Sequence, residues 1–279
     1  MDSRSRSANF WVISMMCVVM LLMPLFASAQ SPAKNKKSPV AKGGLVLKYE
    51  TPKKEIDRKI KALLKHDGTF DAIVKSLNQE FNFPETVRVK FVANEGPLYD
   101  TRKKELVMSY GFINYLASLY IERYPETTDD AMIDFALRSN FFLFYHEIAH
   151  ALIDVFNLPI VSNEETAADN FAVILALEMD SEGFDVVMDS VELFDILDQT
   201  NTKQLDESDY WDEHSLDAQR FYNILCMTYG RFPEKVKAAV KKIKDDKLNK
   251  FIENKGEYCL YLYDQQTKAW LQLLNPHFK

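Results

Sequence analysis

Between Ile56 and Leu64, and again from Phe70 to Phe81, apolar residues recur at the three-to-four spacing of an amphipathic helix. The second run stops before Pro84. VRVKFVAN, Val87 to Asn94, has a different period: apolar and polar residues alternate, as in a strand with one buried face. Asn94-Glu95-Gly96-Pro97 punctuates the chain, and Glu105 to Tyr110 reads as a second strand. The two strands predict a small antiparallel sheet. Beyond Ile113 the pattern is helical. Thr128 with Asp129 and Asp130 makes an N-cap with acids in the first turn. The helix it opens runs to about Asn157, before Pro159. Ser162 is the expected N-cap of the next helix, which reaches about Met179. Further helices fall at roughly 183–198, 215–229, 233–245 and 248–274, and no internal repeat interrupts them. The pattern predicts an α+β fold, predominantly helical: a small sheet followed by a helical body, in a single domain over residues 45–279.

Two N-terminal segments fall outside that pattern. Arg4 and Arg6 precede the apolar run Phe10 to Phe26, and Ala27-Ser28-Ala29 follows it. Basic, apolar and small-residue regions in that order make residues 1–29 a secretory signal peptide. The competing reading, a retained membrane anchor, has a run at the short end of what spans a bilayer, broken by Pro24. Export to the periplasm or outside of a bacterium is the expectation, with no membrane span left after cleavage. Residues 30–44, rich in Lys, Pro, Ser and Gly, read as a flexible leader.

Composition narrows the function. A formal net charge of -7 argues against a nucleic-acid partner, which calls for a basic face. Beyond the signal segment two cysteines remain, Cys226 and Cys259. An even pair in an exported chain points to one disulfide; the alternative is two separate buried thiols.

The chemistry gathers in FFLFYHEIAHALIDVF, Phe141 to Phe156. The segment is apolar almost all the way round, yet it carries His146, Glu147, His150 and Asp154. Unpaired ionisable groups in a buried helix are costly. H-E-x-x-H resolves the conflict: two imidazoles one turn apart can share one Zn²⁺, with the Glu beside a metal-activated water. The next helix carries Glu164, Glu165 and Asp169. Glu165 and Asp169 share a face. Glu165 is the favoured third ligand, with Glu164 the competitor and an N-terminal capping role the non-metal alternative. Asp169 is placed to accept from the outer nitrogen of a ligand imidazole. Asp154 either supports the site in the same way or caps local backbone. His66 and His277 read as surface residues, and the 141–145 aromatic run as core.

HEIAH followed by E-T-A-A-D resembles the gluzincin metallopeptidases, whose pattern is H-E-x-x-H and then E-x-x-x-D on the following helix. Ala151 and Asp154 match the thermolysin-like branch, while the interval between His150 and Glu165 is shorter than that pattern. From about residue 80 onward, HEIAHALIDVFNLP, EETAADNFA, EHSLDAQRFYNILC and AWLQLLNPHFK resemble a little-studied family of exported bacterial metallopeptidase-like proteins. The resemblance implies a zincin-like domain with one Zn²⁺ per chain, held by His146, His150 and Glu165. Glu147 would be the general base, and a peptide or protein the substrate. It also implies that His214 binds the oxyanion or orients substrate, and that Arg220 pairs with Asp169 or Asp217 or holds a substrate carbonyl. Surface positions for His214 and Arg220 remain the alternative. By analogy with zincins, the 105–110 strand would bind extended substrate along its edge. A catalytically silent zinc-binding scaffold of the cell envelope is the competing function.

Overall fold

The computed structural model describes residues 43–161, 163–179, 181–200, 207, 215–243 and 245–279. Residues 1–29, read above as a signal peptide, most of the 30–44 segment, Ser162 and His214 lie outside the described residues. Strand β1 (Gly44–Tyr49) leads into helices α1 (Glu55–Asp67) and α2 (Thr69–Glu80). Strands β2 (Thr86–Val92), β3 (Leu98–Asp100) and β4 (Glu105–Ser109) follow. The remainder is helical: α3 (Tyr110–Arg123), α4 (Asp129–Val155), α5 (Glu164–Met179), α6 (Gly183–Thr200), α7 (Asp217–Arg231), α8 (Pro233–Ile243) and α9 (Asp246–Leu274). The fold is α+β and predominantly helical. Among the described residues no helix is long and apolar enough to cross a membrane.

The sheet differs from the antiparallel pair expected. It has four strands in the order β1-β2-β4-β3. β1 is parallel to β2 and β2 is parallel to β4, while only β3 and β4 are antiparallel. The reason lies in the connections. Helices α1 and α2 return the chain so that β2 runs alongside β1 in the same direction. The short strand β3 uses up the first reversal after β2, so β4 re-enters in the direction of β2. Three residues are too few to show a period, which hides β3 in the sequence. β1 was hidden because Gly43 and Gly44 read as linker. These glycines permit close approach instead: a Cβ on Gly43 would lie 2.0 Å from the Glu85 carbonyl oxygen. Their amides donate to Phe83 and Glu85. In β2 the alternation is realised, with Val87, Val89 and Phe91 fully buried. Arg88 and Lys90 reach Glu105 on β4.

Helix α4 is the axis of the molecule. Thr128 caps it, its hydroxyl accepting from the Ala131 amide. Every residue from Ser139 to Ala149 is buried, so the 141–145 aromatic run is core. Twenty-seven residues at about 1.5 Å each let this helix cross the whole body. It contacts α3, α5, α6, β3 and β4. Phe70 of α2 links it to the sheet, with its ring 4.7 Å from Phe141, 5.1 Å from Phe144 and 4.8 Å from Phe91. Cys226 of α7 and Cys259 of α9 form a disulfide. At the C-terminal end the chain folds back: His277 stacks on Phe156 at 4.1 Å, and Phe278 bridges to Phe81.

Removing the Phe70 ring should therefore uncouple three elements at once. Phe70→Ala is expected to lower the unfolding free energy by about 3–5 kcal/mol, read from urea denaturation. A loss under about 1 kcal/mol would mean that α2 is peripheral to the core.

Candidate metal centre

His146 and His150 lie one turn apart on α4, and their Nε2 atoms are 3.1 Å from each other. Helix α5 supplies the opposing carboxylates. The Asn163 side chain caps it, accepting from the Thr166 amide at 2.9 Å, which orients Glu164 and Glu165 in the first turn. Glu165 approaches both rings: one carboxylate oxygen is 3.1 Å from His146 Nε2, the other 3.2 Å from His150 Nε2. The ligand atoms of His146, His150 and Glu165 all fall within 4.8 Å of one another. Two imidazole nitrogens and a carboxylate converging on one point suit a small divalent ion of intermediate softness.

The outer nitrogens are occupied as well. His146 Nδ1 is 2.8 Å from Asp169 Oδ1, and His150 Nδ1 is 2.7 Å from Glu164 Oε1. With Nδ1–H donating to a carboxylate, each ring presents the Nε2 lone pair inward. The adjacent glutamates thus face different nitrogens of His150. Glu165 lies on the inner side, and Glu164, half exposed, on the outer side.

Asp169 is buried, with only 2% of its surface exposed. Arg220 of α7 clasps it with two bonds, Nε to Oδ2 at 2.8 Å and a terminal nitrogen to Oδ1 at 2.6 Å. The same guanidinium lies 4.1 Å from the centre of the Phe194 ring on α6. A planar fork matched to a carboxylate is what Arg supplies and Lys cannot.

The electrostatics follow from these contacts. Burial works to lower the His146 pKa, but hydrogen bonds to Asp169 and Glu165 outweigh it and push the value up to about 9. His150 also rises: burial opposes, and Glu165 and Glu164 prevail. Burial would raise Glu165 and Asp169, yet both are held below the ordinary carboxylate range. The two imidazoles hold Glu165 down, and Arg220 with His146 holds Asp169. Protons and a divalent ion compete for these nitrogens. Glu147 behaves in the opposite way. Burial raises its pKa against the pull of His146 and His150, and its carboxylate forms no hydrogen bond among the described residues.

The structure brings together His146, Glu147, His150, Glu165, Asp169 and Arg220. Asp154 does not join them. Its carboxylate accepts from Tyr99 and Lys104 instead of an imidazole, because the stripe it continues has by then passed beyond α5 and faces the β3–β4 hairpin. The partner of the outer nitrogen of His150 is Glu164, which the sequence offered only as a rival ligand. Its position directly before Glu165 was the available signal. His214 lies outside the described residues. His66 is exposed and His277 stacks on Phe156.

An α+β protein with a histidine–histidine–glutamate group able to hold a metal is thus defined by fold and site. The chain belongs to the family DUF4344, described as "Putative metallopeptidase", whose profile matches residues 49–274. No curated protein and no solved structure matches it.

The two glutamates should separate by measurement. If the group holds a divalent ion, Glu164→Ala is expected to weaken its binding by about 10–100-fold, read with zinc as the probe in competition with a chelating dye, while one ion still binds per chain. Glu165→Ala should remove stoichiometric binding. The reverse order would exchange their roles.

Proposed function

We propose that the protein is an exported zinc-dependent metallopeptidase. The observation that carries the reading is the opposed geometry of His146 and His150: inner nitrogens converge with Glu165, and outer nitrogens are fixed by Asp169 and Glu164. Zinc bound by His146, His150 and Glu165 would polarise a scissile carbonyl and lower the pKa of a water molecule.

The remaining chemistry belongs to the chain itself. Glu147 sits one residue after a ligand, buried and without a hydrogen-bond partner among the described residues. Its raised pKa brings it nearer neutrality, where a carboxylate both accepts and returns a proton efficiently. It takes the proton of the attacking water and delivers it to the leaving amine. Asp169 and Arg220 keep the His146 ring from turning. With both bonds of Arg220 committed to Asp169, its role is to position rather than to hold a substrate carbonyl. His214 is retained, by resemblance, as the oxyanion donor.

Substrate is a peptide or protein in extended form. The edge it would use is not β4, which is flanked on both sides by β2 and β3. Among the described residues, strand β3 is the edge of the sheet that contacts α4. Two features support export: the N-terminal basic, apolar and Ala-Ser-Ala sequence, and the Cys226–Cys259 disulfide, a bond that persists in oxidising compartments. A purely structural zinc site fills its fourth position with a protein ligand. Among the described residues the group stops at three, which favours catalysis over a silent scaffold.

Glu147→Gln should keep its zinc and lower kcat on fluorescein-labelled casein by about 10²–10⁴. Retained metal with undiminished hydrolysis would remove Glu147 from the mechanism.

A further inference from the structure

Asp154 lies one turn beyond His150 on α4 and carries out a task the metal does not require. The Tyr99 hydroxyl donates to its Oδ2 at 2.6 Å, and Lys104 Nζ donates to the same oxygen at 2.6 Å. Tyr99 is the middle residue of the edge strand β3, and Lys104 ends the turn that joins β3 to β4. That turn is unusually constrained. Lys104 has φ 52°, in the left-handed region that a residue with a side chain enters only under compensation. Its ammonium also lies 3.4 Å from Glu85. Arg88 of β2 secures the same turn, its amide donating to the Lys104 carbonyl at 2.9 Å and its guanidinium to the Lys103 carbonyl at 2.6 Å. The hairpin is thus fastened to β2 through Arg88 and to the metal helix through Asp154. The edge strand is only three residues long and pairs with β4, so the carboxylate adds a polar tie to α4 beside the packing of Tyr99 against the core.

We infer that Asp154 is a positioning residue that fastens edge strand β3 to the histidine-bearing helix. In doing so it sets where an extended peptide lies relative to Glu147 and the two imidazoles. The inference rests on the peptidase reading for its consequence, but the clamp itself is independent of any metal. An ion pair and a phenol bond converge on one partly buried carboxylate. Neither neighbour can hold β3 as well alone, because Lys104 fixes the turn and Tyr99 fixes the strand.

The test uses the mature full chain with Asp154→Ala, and Tyr99→Phe as a milder variant should the first fail to fold. Hydrogen exchange is measured across residues 98–108, zinc affinity by chelator competition, and KM and kcat on labelled casein. The clamp predicts exchange at least about tenfold faster in the hairpin. It also predicts unchanged zinc affinity and a rise in KM that exceeds any fall in kcat. Unchanged hairpin exchange would overturn the clamp, and weakened zinc affinity with a quiet hairpin would return Asp154 to the imidazoles. Faster exchange with unaltered KM would leave a merely structural tie and overturn the positioning role. If the native chain binds no zinc and cleaves nothing, the peptidase reading fails while the exchange result still decides the clamp.

Discussion

Burying ionisable groups between two apolar helices is the constraint on which the structure turns. Asp169 has lost nearly all contact with water, and so have His146 and Glu147. Each would be destabilising alone. Asp169 is tolerable because Arg220 closes both its oxygens from α7 while His146 binds it from α4. That single carboxylate therefore ties three helices together. It also fixes the orientation of the His146 ring. Arg220 in turn rests on Phe194 of α6, so the aromatic core and the polar network support each other. Glu147 is the exception: no hydrogen bond to its carboxylate is found among the described residues, and burial raises its pKa, which is what the proposed proton transfer calls for.

The grouping of the candidate residues was largely legible in the sequence, and the reason is local geometry. A helix places residues four apart on one face whatever surrounds it, so HEIAH and the Glu165–Asp169 pair could be read without the fold. Arg220 was only a candidate, because its pairing depends on how α7 lies against α5. Asp154 was misplaced for the same reason. Its spacing continues the histidine stripe, but helix period says nothing about which neighbour that stripe meets next. Glu164 was readable only as a rival ligand, because its partner, His150, lies on another helix.

The fold divides along the same line. Long helices with capped ends, such as α4 behind Thr128, were readable, and so was the alternation in β2. Strand direction was not, because it depends on β3, too short to show a period, and on β1, whose glycines resemble a linker until a neighbouring backbone is seen beside them. These two strands are the edges of the sheet. One of them, β3, is the element that Asp154 connects to α4, the helix that carries both histidines. Of the two edges, the one hardest to read in the sequence, β3, is the one on which the proposed substrate path depends.

The most direct test is the metal content of the mature protein, purified without added metal and measured by inductively coupled plasma mass spectrometry. The account predicts about one zinc per chain, lost together with His146→Ala. A native chain that contains no zinc, and takes up none when it is offered, would contradict it.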